Sequence, residues 1–195
     1  MDQLTRLLAV GALAAMVLAG CGAPKQAVAP VPIPAAPAQN PFPTPYVPTN
    51  DAQIAGRAPS DLASGWTSAC VYTEARLTDA QKAWVATLEP AGGEGRVAPG
   101  FTEDFDGDGT KKSVAYGAYA KSNGTKGNFV LVTRGGPDRP EVLLLKEIPG
   151  PPQFTVFTLK PDGSLWFGGG LDAGEATMRL TWEDHQPVFS FLSPD

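Results

Sequence analysis

Residues 113–134 read SVAYGAYAKSNGTKGNFVLVTR, two runs of period-two character joined by a glycine-, asparagine- and lysine-rich connection. A short polar link between two such runs predicts antiparallel neighbours, because a parallel pair would need a crossover of a dozen or more residues. The same pattern continues to the end of the chain. Strand candidates span 113–121, 128–134, 141–148, 154–160, 164–168, 176–183 and 187–192, separated by turn chemistry such as Gly135-Gly136-Pro137-Asp138, Pro149-Gly150-Pro151-Pro152, Pro161-Asp162-Gly163 and Asp184-His185-Gln186. Met178, Leu180 and Trp182 alternate with Arg179, Thr181 and Glu183, which predicts one buried and one wet face. Val142 to Leu145 is apolar at every position and reads as a central strand.

Upstream, a single helix stands out. Thr78-Asp79-Ala80-Gln81 has the capping-box order, and Ala80, Ala83, Trp84 and Leu88 then form an apolar stripe at helical spacing before Pro90 and Gly92-Gly93. The expected class is α+β and β-rich, an antiparallel meander sheet of about six or seven strands curled over one short helix.

Composition narrows the chemistry. One histidine rules out a site needing two imidazoles, and two cysteines cannot build a Cys₄ zinc site or a disulfide framework. The formal charge of −5 argues against nucleic acid as a partner. With Asp2, Arg6 and Lys25 set aside, thirteen basic and nineteen acidic residues remain, so the acidity belongs to residues 51–195, read as one globular domain. The G-x-S-x-G, H-E-x-x-H and S-x-x-K patterns are absent, and His185 reads as a turn residue.

The first fifty residues are an address and a tether. Residues 7–18, LLAVGALAAMVL, follow Arg6 and are too short to cross a bilayer, which takes about 20 apolar residues. They have the length of a secretory h-region. Leu18-Ala19-Gly20-Cys21 then resembles the bacterial lipobox. That resemblance implies a signal peptide over 1–20, diacylation of Cys21 and its exposure as the mature amino terminus. By the same resemblance, Gly22 after the cysteine implies transfer to the outer membrane if the cell is Gram-negative. Several acyl chains anchor stably where one binds only marginally. With Cys21 acylated, no second cysteine remains for Cys70, which is most simply a small buried hydrophobe. Residues 23–50 hold nine of the twenty prolines and one charge, Lys25. Such a segment favours extended polyproline II, and at about 3.1 Å per residue it spans up to roughly 90 Å as a semi-rigid spacer.

One motif in the domain carries chemistry. Asp104-Phe105-Asp106-Gly107-Asp108-Gly109 sets three carboxylates at alternate positions with glycines that allow a sharp turn, as a calcium loop requires. The segment resembles the DxDGDG loops of EF-hand-like proteins, dockerins and FG-GAP repeats over about twelve residues. Asp104, Asp106 and Asp108 match the first, third and fifth ligand positions, and Thr110 the seventh, where a backbone carbonyl contributes. The pattern departs at the ninth position, Lys112, and at the twelfth, Ala115. Two readings stay open. In one, the loop holds Ca²⁺ and a distant carboxylate such as Glu103, Asp138 or Asp172 completes the shell. In the other, the carboxylates cap turn amides or pair with Lys111 and Lys112.

Together these features predict a membrane-anchored envelope lipoprotein whose domain is a non-catalytic binding, assembly or structural module, stabilised by calcium if the first reading of the loop holds. Its partners would be the membrane, through lipid, and an envelope protein or polymer. The alternative is a calcium-dependent envelope hydrolase or a regulator of one.

Overall fold

A computed structural model describes residues 50–192 apart from 89, 91, 92, 137, 139 and 169–176. The apolar run 7–18, Cys21 and the spacer up to residue 49 lie outside the described residues, as does Asp172. In chain order the elements are α1 (Pro59–Leu62), β1 (Trp66–Val71), a 3₁₀ turn (Glu74–Arg76), α2 (Asp79–Ala86), β2 (Arg96–Ala98), β3 (Gly100–Glu103), β4 (Lys112–Lys121), β5 (Lys126–Arg134), β6 (Glu141–Pro149), β7 (Phe157–Leu159), β8 (Leu165–Phe167), β9 (Met178–Glu183) and β10 (Gln186–Phe191). Among the described residues no helix is long and apolar enough to cross a membrane.

The β-rich α+β class and the antiparallel pairing are as expected. The strands, however, divide into two five-stranded sheets. The first has the order β1-β4-β5-β6, with β3 on the same edge of β4 as β1: β3 pairs Lys112 to Ala115, and β1 pairs Gly117 to Lys121. The second has the order β10-β9-β8-β7-β2. The division falls at prolines. Pro149, Pro151 and Pro152 supply no backbone donors for a continuing ladder, and after them the chain leaves β6 for the second sheet. Pro99 likewise separates β2 from β3, which belong to different sheets.

Alternation along β4 and β5 fills two cores. Val114, Tyr116 and Ala118 join Val130 and Val132 against Phe157, Leu165, Phe167 and Leu180 of the second sheet. Tyr119, Phe129 and Leu131 face the other way, where Trp66, Ala69 and Ile54 cover them. Trp66 stacks on Tyr119 with centroids 4.9 Å apart and planes 3° from parallel. Cys70 points into the inter-sheet core and is fully buried, as its reading as a small hydrophobe expects.

With cover on both faces, β5 is buried from Gly127 through Thr133 and is, with β4, one of the two inner strands. β6 lies at the end of the sheet order, not at its centre as its apolar run suggested. Val142 and Leu145 pack on the outer core and Leu143 and Leu144 on the inter-sheet core, so the run is apolar because two cores flank this sheet. In α2, Trp84 is buried and meets Phe154 edge to face, while Ala83 is exposed and falls off the expected stripe. The side chains of Ala80 and Gln81 lie outside the described set.

Candidate functional site

Strand alternation dictates the site. If Val114, Tyr116 and Ala118 face the inter-sheet core, then Lys112, two residues earlier on β4, must face it too. Its side chain is fully buried, at the rim of that core. A buried ammonium needs opposite charge and hydrogen-bond acceptors. The β3–β4 loop supplies both by folding back over it. Lys112 Nζ donates to Asp106 Oδ1 at 2.6 Å and lies 2.8 Å from Asp108 Oδ2. Beneath, the ammonium stands 5.6 Å from the centroid of the Trp182 ring on β9, a favourable cation–π placement.

The remaining loop contacts are of the turn-capping kind. Asp104 Oδ2 accepts from the Gly109 amide at 3.0 Å, and Asp108 Oδ1 from the Thr110 amide at 2.7 Å. Gly107 and Gly109 have φ of 72° and 81°, the left-handed region that makes glycine the preferred residue at both bends. Phe105 turns inward and stacks on Trp182, with centroids 5.2 Å apart and planes 8° from parallel.

Two turns of the second sheet close the arrangement. Gly163 passes so close to Phe105 that a Cβ there would lie 2.0 Å from the Phe105 carbonyl oxygen, and its own carbonyl accepts from Trp182 Nε1 at 3.2 Å. Glu183 pairs with Gln186, leaving Asp184 and His185 as a two-residue hairpin turn, both at positive φ. That turn sets His185 Nδ1 3.2 Å from Asp106 Oδ2, and Asp106, Asp108 and His185 can bring ligand atoms within 4.8 Å of one another.

The electrostatics follow from this packing. Burial works to raise the Asp106 pKa, but hydrogen bonds from Lys112 and His185 outweigh it and hold the carboxyl below its ordinary value. The Lys112 hydrogen bond, with the Thr110 amide, lowers Asp108 as well. For Lys112, burial opposes the charge, and the two carboxylates prevail and raise its pKa. The site is thus an ion cluster in which one buried ammonium is shared by two carboxylates.

Of the residues expected at a metal loop, Asp106 and Asp108 converge, whereas the Asp104 carboxylate is bonded to the loop's own Gly109 amide and the Thr110 amide donates to Asp108. Glu103 pairs with Arg96 at 3.0 Å, and Asp138 is exposed. Lys111 is exposed, so a single lysine closes the cluster. A calcium ion takes six to eight oxygens at about 2.3–2.6 Å, and its place between Asp106 and Asp108 is the place of the Lys112 ammonium. The donors as arranged suit the resident lysine and would have to release it to accept a metal.

The residues that sequence reading did not assign to the site are Trp182, Gly163 and Phe105, together with His185 as a neighbour of Asp106. Trp182 carries a usable signal, because its parity with Leu180 turns it inward. An open groove of about 300 Å³ lies beside the loop, bordered by Arg96, Asp104, Phe105, Lys160 and Pro161. His185 stands outward, with 58% of its side chain exposed. Comparison of the chain with protein-family models, with curated proteins and with solved structures finds no match.

Proposed function

We propose that this chain is a lipid-anchored protein of a bacterial cell envelope, in which the β-rich domain is a non-catalytic binding or assembly module held off the membrane by a proline-rich spacer. The observation that carries this reading is the order of segments: an apolar run of twelve residues, Leu18-Ala19-Gly20-Cys21, a proline- and alanine-rich stretch to residue 50, and then the domain. Diacylated Cys21 supplies a stable anchor, and the spacer supplies reach. The non-catalytic half draws on the site. The exposed ring of His185 faces a carboxylate that Lys112 already holds, and Cys70, the domain's thiol, is buried in the core. An ion cluster of this kind braces two sheets and leaves the outer surface to meet a partner.

In-cell crosslinking of the full chain, followed by identification of what co-purifies, tests the module. A recurring envelope protein or glycan adduct, lost when the spacer is shortened by half, is the expected outcome. Recovery of lipid alone would remove the assembly role.

A further inference from the structure

The acidic loop has the carboxylate spacing of a calcium loop, yet its convergent carboxylates are already spoken for. We infer that Lys112 is the loop's resident cation: its ammonium stands at the metal position, the native fold is therefore independent of divalent metal, and removing that ammonium opens a site for a hard divalent ion.

Three observations carry this. Lys112 is anchored at the first position of β4, in register with Glu103 on one side and Arg134 on the other, so its reach toward the loop is fixed by two ladders. Its Nζ sits between Asp106 and Asp108, at 2.6 and 2.8 Å, with none of the side chain exposed. Asp106, Asp108 and His185 bring ligand atoms within 4.8 Å of one another, a donor set of two carboxylates and an imidazole in which the Lys112 ammonium relieves the repulsion between the carboxylates. A divalent ion bound to those oxygens would contact Nζ, so the two cations exclude each other. Loss of the side-chain charge leaves two carboxylates facing each other with the imidazole beside them. That arrangement favours uptake of Ca²⁺ or a lanthanide, with Asp104 free to swing in from the Gly109 amide.

Terbium luminescence and thermal unfolding of the full chain test the inference, since Trp182 lies under the site and can sensitise bound Tb³⁺. The wild-type chain should show no sensitised emission, and neither Ca²⁺ nor a chelator should move its melting temperature. Lys112→Ala and Lys112→Gln should melt lower, recover several degrees in millimolar Ca²⁺ and give saturable Tb³⁺ emission, which the added change Asp106→Asn removes. Should either variant fold only with Ca²⁺ present, the inference is supported more strongly. A wild-type melting temperature that rises with Ca²⁺ or falls with chelator would overturn it. So would two lysine variants that, folded or not, show no response to either ion.

Discussion

Lys112 shows how much a single position can settle. A lysine at the start of a strand ordinarily lies along the surface with its ammonium in water. Here parity with Val114 and Tyr116 turns it inward, and the loop carboxylates follow it. Removing one partner of a buried ion pair leaves uncompensated charge, so Lys112→Ala should cost toward the lower end of about 3–5 kcal/mol, the cluster being at the rim of the core. Lys111→Ala, one residue away on the exposed side, should stay within about 0.5 kcal/mol. Urea denaturation of both variants checks the contrast. The same cluster fixes a pH dependence. Asp106 and Asp108 have folded pKa values below the ordinary 3.8, so their contribution is present above that value and is lost as pH falls through the lowered ones. Lys112 is raised above 10.5, so its contribution is present below that value and is lost as pH rises through the raised one. Stability attributable to the cluster should therefore be flat across neutral pH and decline at both extremes, and Lys112→Ala should flatten the acid limb. In the sequence, DxDGDG advertised the carboxylates, and a lysine-paired turn was one of its two readings. Choosing between Lys111 and Lys112 required the direction each side chain takes on β4, which the motif alone does not state.

Elements differ in how plainly they announce themselves. β4, β5, β6, β9 and β10 run six to ten residues, long enough for alternation to register. β2 and β3 span three and four residues, too few for a period to emerge. β1 has six, but a register shift between Trp66 and Ser68 breaks its alternation. Turns are where the sheets meet, and Gly163 is the tightest of these junctions. Its φ of +80° and its contact with Phe105 both exclude a side chain. Gly163→Ala should cost more than the roughly 1–3 kcal/mol of backbone strain alone, since the clash with the Phe105 backbone adds to it. Gly124→Ala, at a φ of +84° with open space around it, carries the backbone strain alone and should cost less. Thermal melts of the two variants, compared side by side, separate close packing from conformation. The contacts involved join residues far apart in sequence: His185 reaches Asp106 across 79 positions. Local pattern reading is blind to pairings of that range.

At the scale of the whole molecule, one sheet serves two cores. Phe157 anchors the inter-sheet side and Phe129 the outer side, both fully buried. Truncating either to alanine should cost about 3–5 kcal/mol, and the two losses should appear in the same cooperative transition because β4 and β5 contribute to both cores. Separate transitions, followed by near-UV circular dichroism, would show the outer layer to be an independent unit. The meander was legible because short links force antiparallel neighbours. Its division into two sheets was not, because the prolines at 149–152 read equally well as a tight turn within one sheet or as a passage to a second. The domain is nevertheless only the distal part of the proposed arrangement, whose meaning depends on what happens at Cys21. Intact-mass analysis of the protein purified from its own cells in detergent addresses that point directly. The proposal predicts a chain that begins at Cys21 and carries the added mass of a diacylglyceryl group, and a Cys21→Ala chain that keeps its first twenty residues and gains no lipid. A mature wild-type chain cut elsewhere and free of lipid would contradict it.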